Sequence, residues 1–214
     1  MINIINLLQT GCFPDNLKIS KIVPIYKGDD KTLVNNYIHI SVLPVFSKIH
    51  EKLIFARIRN VVVQNNILSD NQFGFTHNLS TYMALLKLTD TISKELNNKQ
   101  YSIGIFLDFS KAFDTINHDI LVDKLNYYGI RGTALHLIKN VVTNTVQFVN
   151  LNDVKSEYLP INCEVPPGSI LGPLLFLLYI NDISNISSII DIILFADDTY
   201  IFLAINVWLS WRAE

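Results

Sequence analysis

The chain has 214 residues, half of them hydrophobic and 17% charged, with 17 Lys+Arg against 19 Asp+Glu. That profile excludes intrinsic disorder, and the length suffices to bury a substantial core, so a single compact core is expected. A formal net charge of −2 excludes the global basic signature that many nucleic-acid binders carry.

Met1 to Leu8 has the apolar spacing of a short helix, closed by Gly11 and Pro14. A strand is expected from Leu17 to Lys27, where Ile19, Ile22, Val23 and Ile25 cluster around Pro24; the proline argues for an edge position. Lys27-Gly28-Asp29-Asp30-Lys31 then forms a polar turn, either a solvated loop or a phosphate contact. From Val45 to Val63, apolar Phe46, Ile49, Leu53, Ile54, Ala56 and Ile58 recur every three or four residues, predicting a helix that buries this face. Lys48, Lys52, Arg57 and Arg59 decorate the remainder. A second helix is predicted from Leu79 to Leu96, with Met83, Leu86 and Leu88 apolar, and Asn97-Asn98 ends it.

Tyr101 to Leu107 changes period and reads as a central strand ending at Asp108. A helix follows from Asn117 or His118 to Gly129, which suits the position just past a helix end, and another from Thr133 to Val142. Val146 to Leu151 and Tyr158 to Val165 flank Asn152-Asp153 as a hairpin. Pro173 sits where a helix can start, with Leu174 to Ile180 as its apolar body. Finally, two apolar arms between Ile189 and Ile205 flank Asp197-Asp198-Thr199, predicting a hairpin with two carboxylates at its tip.

Two cysteines, Cys12 and Cys163, are too few for a disulfide framework, and no basic segment leads into an apolar stretch at the N-terminus; an intracellular protein is expected. The longest apolar runs, Ile170 to Ile180 and Ile186 to Ile205, are broken by Gly172-Pro173 and by Asp191, Asp197 and Asp198, so neither spans a bilayer of roughly 20 residues. A mean hydropathy of +0.29 is nonetheless high, as when apolar surface awaits a partner. The five histidines, His39, His50, His77, His118 and His136, lack metal-ligand spacing and are assigned structural roles.

The carboxylates carry the chemistry. Consecutive acids at a turn are commonly just solvated, and Asp108 can equally cap the segment after its strand. Here, however, the arms are so apolar that the acids end a buried sheet, where like charges are unfavourable without a cation. If the Asp108 strand neighbours the hairpin, three carboxylates converge into a hard-oxygen site suited to Mg²⁺. Two ions about 3.5 to 4 Å apart would activate an attacking oxygen and stabilise a leaving one, which is phosphoryl or nucleotidyl transfer. Such chemistry needs no Ser/His/Asp arrangement.

Three segments, Phe106-Leu-Asp-Phe-Ser-Lys-Ala-Phe-Asp-Thr-Ile-Asn-His118, Pro167-Gly-Ser-Ile-Leu-Gly-Pro-Leu-Leu-Phe-Leu-Leu-Tyr-Ile-Asn-Asp182 and Phe195-Ala-Asp-Asp-Thr199, resemble successive signature blocks of reverse transcriptases. The resemblance is to the non-LTR retrotransposon, jockey-like type. Upstream, Ile22-Val-Pro-Ile-Tyr-Lys-Gly-Asp29, Asn36-Tyr-Ile-His-Ile-Ser41, Phe46-Ser-Lys-Ile-His-Glu-Lys52 and Asn71-Gln-Phe-Gly-Phe75 are similar to the family's finger-region blocks, in the same order.

The resemblance implies an α+β fold, the fingers and palm of a right-hand polymerase, with an antiparallel palm sheet and helices packed on one side. The fingers would occupy about residues 1–98 and 130–160 and the palm about 99–129 and 161–205. Only Asn206 to Glu214 follow the aspartate hairpin, so the thumb is expected to be missing, as are endonuclease and RNase H domains. By the same resemblance Asp108, Asp197 and Asp198 would hold two Mg²⁺ ions, with Mn²⁺ as a substitute. Phe113 would lie under the incoming sugar and exclude a 2′-hydroxyl, and backbone N–H groups of Phe109, Ser110, Lys111 and Ala112 would meet the triphosphate. Gly168 and Ser169 would let the chain pass close to nucleotide and template, Ala196 would keep the floor beside the acids small, and Lys27 would contact phosphate. The partners implied are an RNA template, a DNA primer and dNTPs, in the nucleus.

Three positions depart from the pattern. Ile38 replaces an arginine that would neutralise triphosphate charge, Thr76 replaces another arginine, and Pro167 replaces a glutamine that would touch nucleotide and template. The expected function is RNA-directed DNA polymerisation. The alternative is a catalytically inactive, truncated retrotransposon remnant that binds nucleic acid or protein at most. A metal-dependent nuclease or phosphatase would explain the acids but not the ordered blocks.

Overall fold

The structure, a computed structural model, describes residues 9–109, 111–151, 154–161, 163, 165 and 168–205; the helix expected over Met1 to Leu8 and the Asn152-Asp153 turn lie outside them. The chain divides into two compact units, residues 1–67 with 111–179 and residues 68–110 with 180–214.

The first unit is built on a mixed sheet of β1 (Ile19–Tyr26), β2 (Tyr37–Val42), β4 (Thr145–Leu151), β5 (Val154–Lys155) and β6 (Leu159–Ile161). β1 runs antiparallel to β2, from Lys21 opposite Val42 to Tyr26 opposite Tyr37, and parallel to β4, from Ile19 opposite Val146 to Ile22 opposite Val149. The edge position expected for β1 is therefore corrected, since β1 lies between two strands. Pro24 is accommodated because pairing with β4 ends at Ile22, so the missing N–H falls beyond that ladder. β4 pairs with β6 as the expected hairpin, Gln147 opposite Leu159.

Among the described residues this unit carries the helices α1 (Val45–Gln64), α3 (His118–Tyr127), α4 (Gly132–Val142) and α5 (Gly172–Ile180, whose last residue falls at the unit boundary). On α1 the buried stripe is Ser47, His50, Glu51, Ile54, Ile58 and Val62. Ile54 and Ile58 lie where expected, but Phe46, Ile49 and Leu53 are 65%, 44% and 40% exposed, and Ala56 is exposed too. The helix has apolar residues around most of its circumference, so periodicity alone selects the wrong stripe. Within the buried stripe Glu51 accepts from Ser169 and Ile170, and His50 Nδ1 pairs with the Phe46 carbonyl one turn back at 2.5 Å. Asn117 caps α3 by accepting from the N–H groups of Asp119 and Ile120 at 3.0 and 3.1 Å, and Gly129 follows with φ 89°.

The second unit is simpler. β3 (Tyr101–Asp108), β7 (Asp191–Phe195) and β8 (Asp198–Ile205) form an antiparallel sheet in the order β3-β8-β7. The central strand is β8; β3, expected at the centre, is an edge whose Ile103, Ile105 and Phe106 remain exposed. α2 (Thr81–Asn97) starts at Ser80, whose hydroxyl accepts from Met83 N–H at 3.4 Å. It buries Ala84, with Leu88 and Ile92 partly buried, in a core with Phe73, Ile193 and Phe202, whereas Met83 and Leu86 point outward. Among the described residues no helix is long and apolar enough to cross a membrane.

Candidate active site

The aspartate hairpin is the second unit's chemical feature. β7 and β8 meet at Phe195 opposite Asp198, leaving Ala196 and Asp197 as a two-residue turn. Such turns demand positive φ at a central position, and Ala196 supplies it with φ 56°, an unfavourable conformation for a residue with a Cβ. On the other side of β8, the last pair of the β3 ladder sets Asp108 opposite Asp198. Residues opposite one another in an antiparallel pair have Cβ atoms about 4.5–5.5 Å apart, so two carboxylates face each other beside a third at the turn.

Electrostatics follows from that register. Burial, then the charges of Asp197 and Asp108, push the Asp198 carboxyl above the ordinary carboxylate range. Burial and the Asp198 charge likewise push the Tyr200 hydroxyl up. Among the described residues none of the three acids is in an ion pair, so their charge is uncompensated. Nor, among those residues, are three acid, histidine or cysteine side chains gathered tightly enough to chelate a metal alone. Asp108 is exposed and Asp197 and Asp198 are half-buried, leaving room for the water and phosphate oxygens that Mg²⁺ retains. The donor set thus fits a hard divalent cation.

Sequence reasoning missed the support of this turn. Asn71 to Gly74 runs beside β7: Leu194 N–H donates to the Asn71 carbonyl and Phe73 N–H to the Leu194 carbonyl, both at 2.8 Å. The buried Gln72 places its side-chain oxygen between Gly74 N–H at 2.9 Å and Ala196 N–H at 3.2 Å. The available signal was Gly74 between two phenylalanines, a mark of close backbone approach. Thr76, at a position of departure, donates its hydroxyl to the Gly74 carbonyl at 3.2 Å.

The remaining candidates belong mainly to the first unit. Lys27 and Lys111 line one cleft of about 950 Å³ together with Lys31, Ile38, His39 and Asp114. The loop after Lys27 is fixed locally: Thr32 donates N–H and hydroxyl to Asp30 Oδ1 at 2.9 and 2.7 Å, and the Lys27 amide donates to the Asn36 carbonyl at 2.8 Å. Ala112 is half-buried, and Phe113 packs its ring on Phe176 with centroids 4.5 Å apart. Phe109, just past β3, is 40% exposed, while Ser110 and Pro167 lie outside the described residues.

Gly168 adopts φ 93°, and a Cβ there would meet the Ser41 carbonyl at 2.8 Å. Ser169 beside it is buried; its hydroxyl donates to Glu51 Oε2 at 2.9 Å and accepts from the Leu171 and Gly172 N–H groups at 3.2 Å. Ile170 N–H donates to the same Glu51 oxygen at 2.6 Å. Burial raises the Glu51 pKa, and these bonds oppose the shift without cancelling it. A raised folded pKa means stability fully present below the unfolded value, 4.5, and lost as pH rises through the folded one. Glu51→Gln keeps an acceptor and removes the titration, so the fall in melting temperature as pH rises above the unfolded value is expected to be smaller than in the parent. Equal falls would show that Glu51 does not carry this dependence.

The second unit thus offers acid-bearing strand ends, and the first a cation-lined cleft. Residues 25–206 match the family described as reverse transcriptase (RNA-dependent DNA polymerase). The chain belongs to that family. It is 31% identical over 184 residues to the probable RNA-directed DNA polymerase from transposon BS of Drosophila melanogaster, covering 83% of this chain and 20% of that protein. Against the RNA-directed DNA polymerase from mobile element jockey of the same species it is 30% identical over 203 residues, 91% of this chain and 22% of the other. The chain thus spans about a fifth of the length of these curated relatives. Among solved structures, apo telomerase from Candida tropicalis, truncated from the C-terminal domain, superposes with a TM-score of 0.62 at 12% identity, covering 90% of this chain and 45% of that one. That likeness shows the fold, an α+β fingers-and-palm polymerase fold. The expected jockey-like, non-LTR type is borne out by the relatives.

Proposed function

We propose that this chain supplies the polymerising core of an RNA-directed DNA polymerase, extending a DNA primer on an RNA template by two-metal nucleotidyl transfer. The observation that carries this reading is the uncompensated trio, Asp108 opposite Asp198 with Asp197 at the adjoining turn. Asp108, Asp197 and Asp198 would hold two Mg²⁺ ions, with Mn²⁺ able to substitute. When bound, the ions lower the pKa of the primer 3′-hydroxyl and neutralise charge on the triphosphate. The 3′ oxygen, its proton lost to water, would bond to the α-phosphorus as the bond to the leaving pyrophosphate breaks. Lys27, Lys111 and the amides around Phe109 to Ala112 would bind triphosphate oxygens; Phe113 would bar a 2′-hydroxyl; Gly168, beside a Ser169 whose side chain is buried against Glu51, would admit the nucleotide and template backbone. The aspartate-bearing sheet is the palm in this reading.

A second reading, a nucleic-acid-binding remnant without turnover, is favoured by one observation. Ile38 lines the same cleft as Lys27, Lys31 and Lys111, an apolar side chain where the family pattern has a cation. Primer extension on an RNA template with Mg²⁺ and then Mn²⁺ separates the two. Extension that Asp197→Asn abolishes supports the polymerase, and Ile38→Arg is then expected to raise incorporation by about tenfold or more, as a charge-assisted contact on developing charge does. A folded sample that retains RNA–DNA hybrid yet extends nothing, with or without Arg at 38, leaves only the binding role.

A further inference from the structure

We infer that Gln72 is a positioning residue for the aspartate hairpin: its side-chain oxygen fixes the Ala196–Asp197 turn and so sets where Asp197 and Asp198 stand. This deepens, and rests on, the reading of those acids as cation ligands. Ala196 occupies a backbone region that a side chain disfavours, φ 56°, and a strained turn persists only where its surroundings impose it. The backbone bonds from the 71–73 segment end at Leu194. The Gln72 bond to the Ala196 N–H, across 124 residues of sequence, reaches the turn itself.

The atom is assigned by its partners. Gly74 and Ala196 both present N–H groups, so the Gln72 atom between them is the carbonyl oxygen rather than the amide nitrogen. Its Nε2 is buried and makes no hydrogen bond. An unsatisfied buried donor is unfavourable, and an apolar side chain of the same length would fill the space without it. What distinguishes glutamine at this position is the acceptor, and that acceptor is spent on Gly74 and Ala196.

Two variants of the 214-residue chain test this. Gln72→Met keeps length and removes the acceptor, whereas Gln72→Glu keeps an acceptor oxygen. Amide hydrogen exchange reads the turn and Mn²⁺ affinity reads the acids. In Gln72→Met, exchange at Ala196 is expected to speed by about tenfold or more, the loss of one hydrogen bond, while Ile193 keeps its protection. Mn²⁺ is expected to bind correspondingly more weakly, and Gln72→Glu to restore protection at Ala196. Unchanged exchange at Ala196, or equal acceleration at Ile193 and Ala196, overturns the proposal; the latter marks a purely structural role. Were the parent chain to bind no Mn²⁺, the cation reading would fail, but exchange at Ala196 would still decide the part played by Gln72. Should Gln72→Met not fold, Gln72→Glu decides: protection retained at Ala196 supports the assignment, and protection lost overturns it.

Discussion

Asp198→Asn is expected to raise the melting temperature of the metal-free chain at pH 7 and to abolish the further rise expected of the parent with Mg²⁺. Burial and the charges of Asp197 and Asp108 raise the Asp198 pKa. Stability from this group is therefore fully present below its unfolded pKa, 3.8 as a reference, and is lost as pH rises through the folded one. The penalty grows as pH rises above that reference, and asparagine removes it while keeping the shape. Because Asp198 is only half-buried, solvent screens the repulsion, and the gain is expected to be a few degrees at most. A bound cation reverses the sign, since it needs the carboxylates ionised: the Mg²⁺-dependent rise should grow as pH increases from about 4 to 7. Melting curves with and without Mg²⁺ across that range check both effects. A rise that persists in Asp198→Asn places the cation elsewhere.

Local chemistry made much of this fold legible. The Asn117 cap, the Gly129 stop, the α4 span and the aspartate hairpin all depend on neighbours within a few residues, and each stands where the sequence puts it. What sequence could not carry is long-range. β1 finds β4 across more than a hundred residues, which removes it from the edge. On α1 the charged Glu51 turns inward to Ser169 and Ile170 while Leu53 stays exposed, a choice that apolar periodicity does not report. The strand ending in Asp108 was legible as a strand, but its exposed edge place was not, because apolar content does not report how many neighbours a strand has. The acids were readable as a pair and a single, and their register opposite one another supplies the arrangement. The Gln72 brace was invisible because glutamine in a loop gives no local signal of burial.

The brace also explains why Gly74→Ala is expected to be the most damaging small substitution in the second unit. A Cβ on Gly74 would lie 2.1 Å from Ala196 N, 2.8 Å from the Phe195 carbonyl carbon and 2.9 Å from Ala196 Cα, all backbone atoms that cannot rotate away. At Gly104 the nearest atom is Phe202 Cε1 at 2.9 Å, the outer part of a ring that can tilt. The same added methyl therefore has different outlets at the two sites. At Gly104 the core repacks, for a loss of about 1–3 kcal/mol. At Gly74 either the 71–74 segment withdraws, breaking the Phe73 to Leu194 and Gln72 to Ala196 bonds, or the turn moves and carries Asp197 and Asp198 with it. Either outcome exceeds ordinary overpacking, so a loss above about 3 kcal/mol is expected, together with loss of the Mg²⁺ response. Urea unfolding of both alanine variants measures the contrast. A Gly74→Ala chain as stable as Gly104→Ala would mean that the loop and the turn are not held at the distance described, and that the hairpin stands on its own.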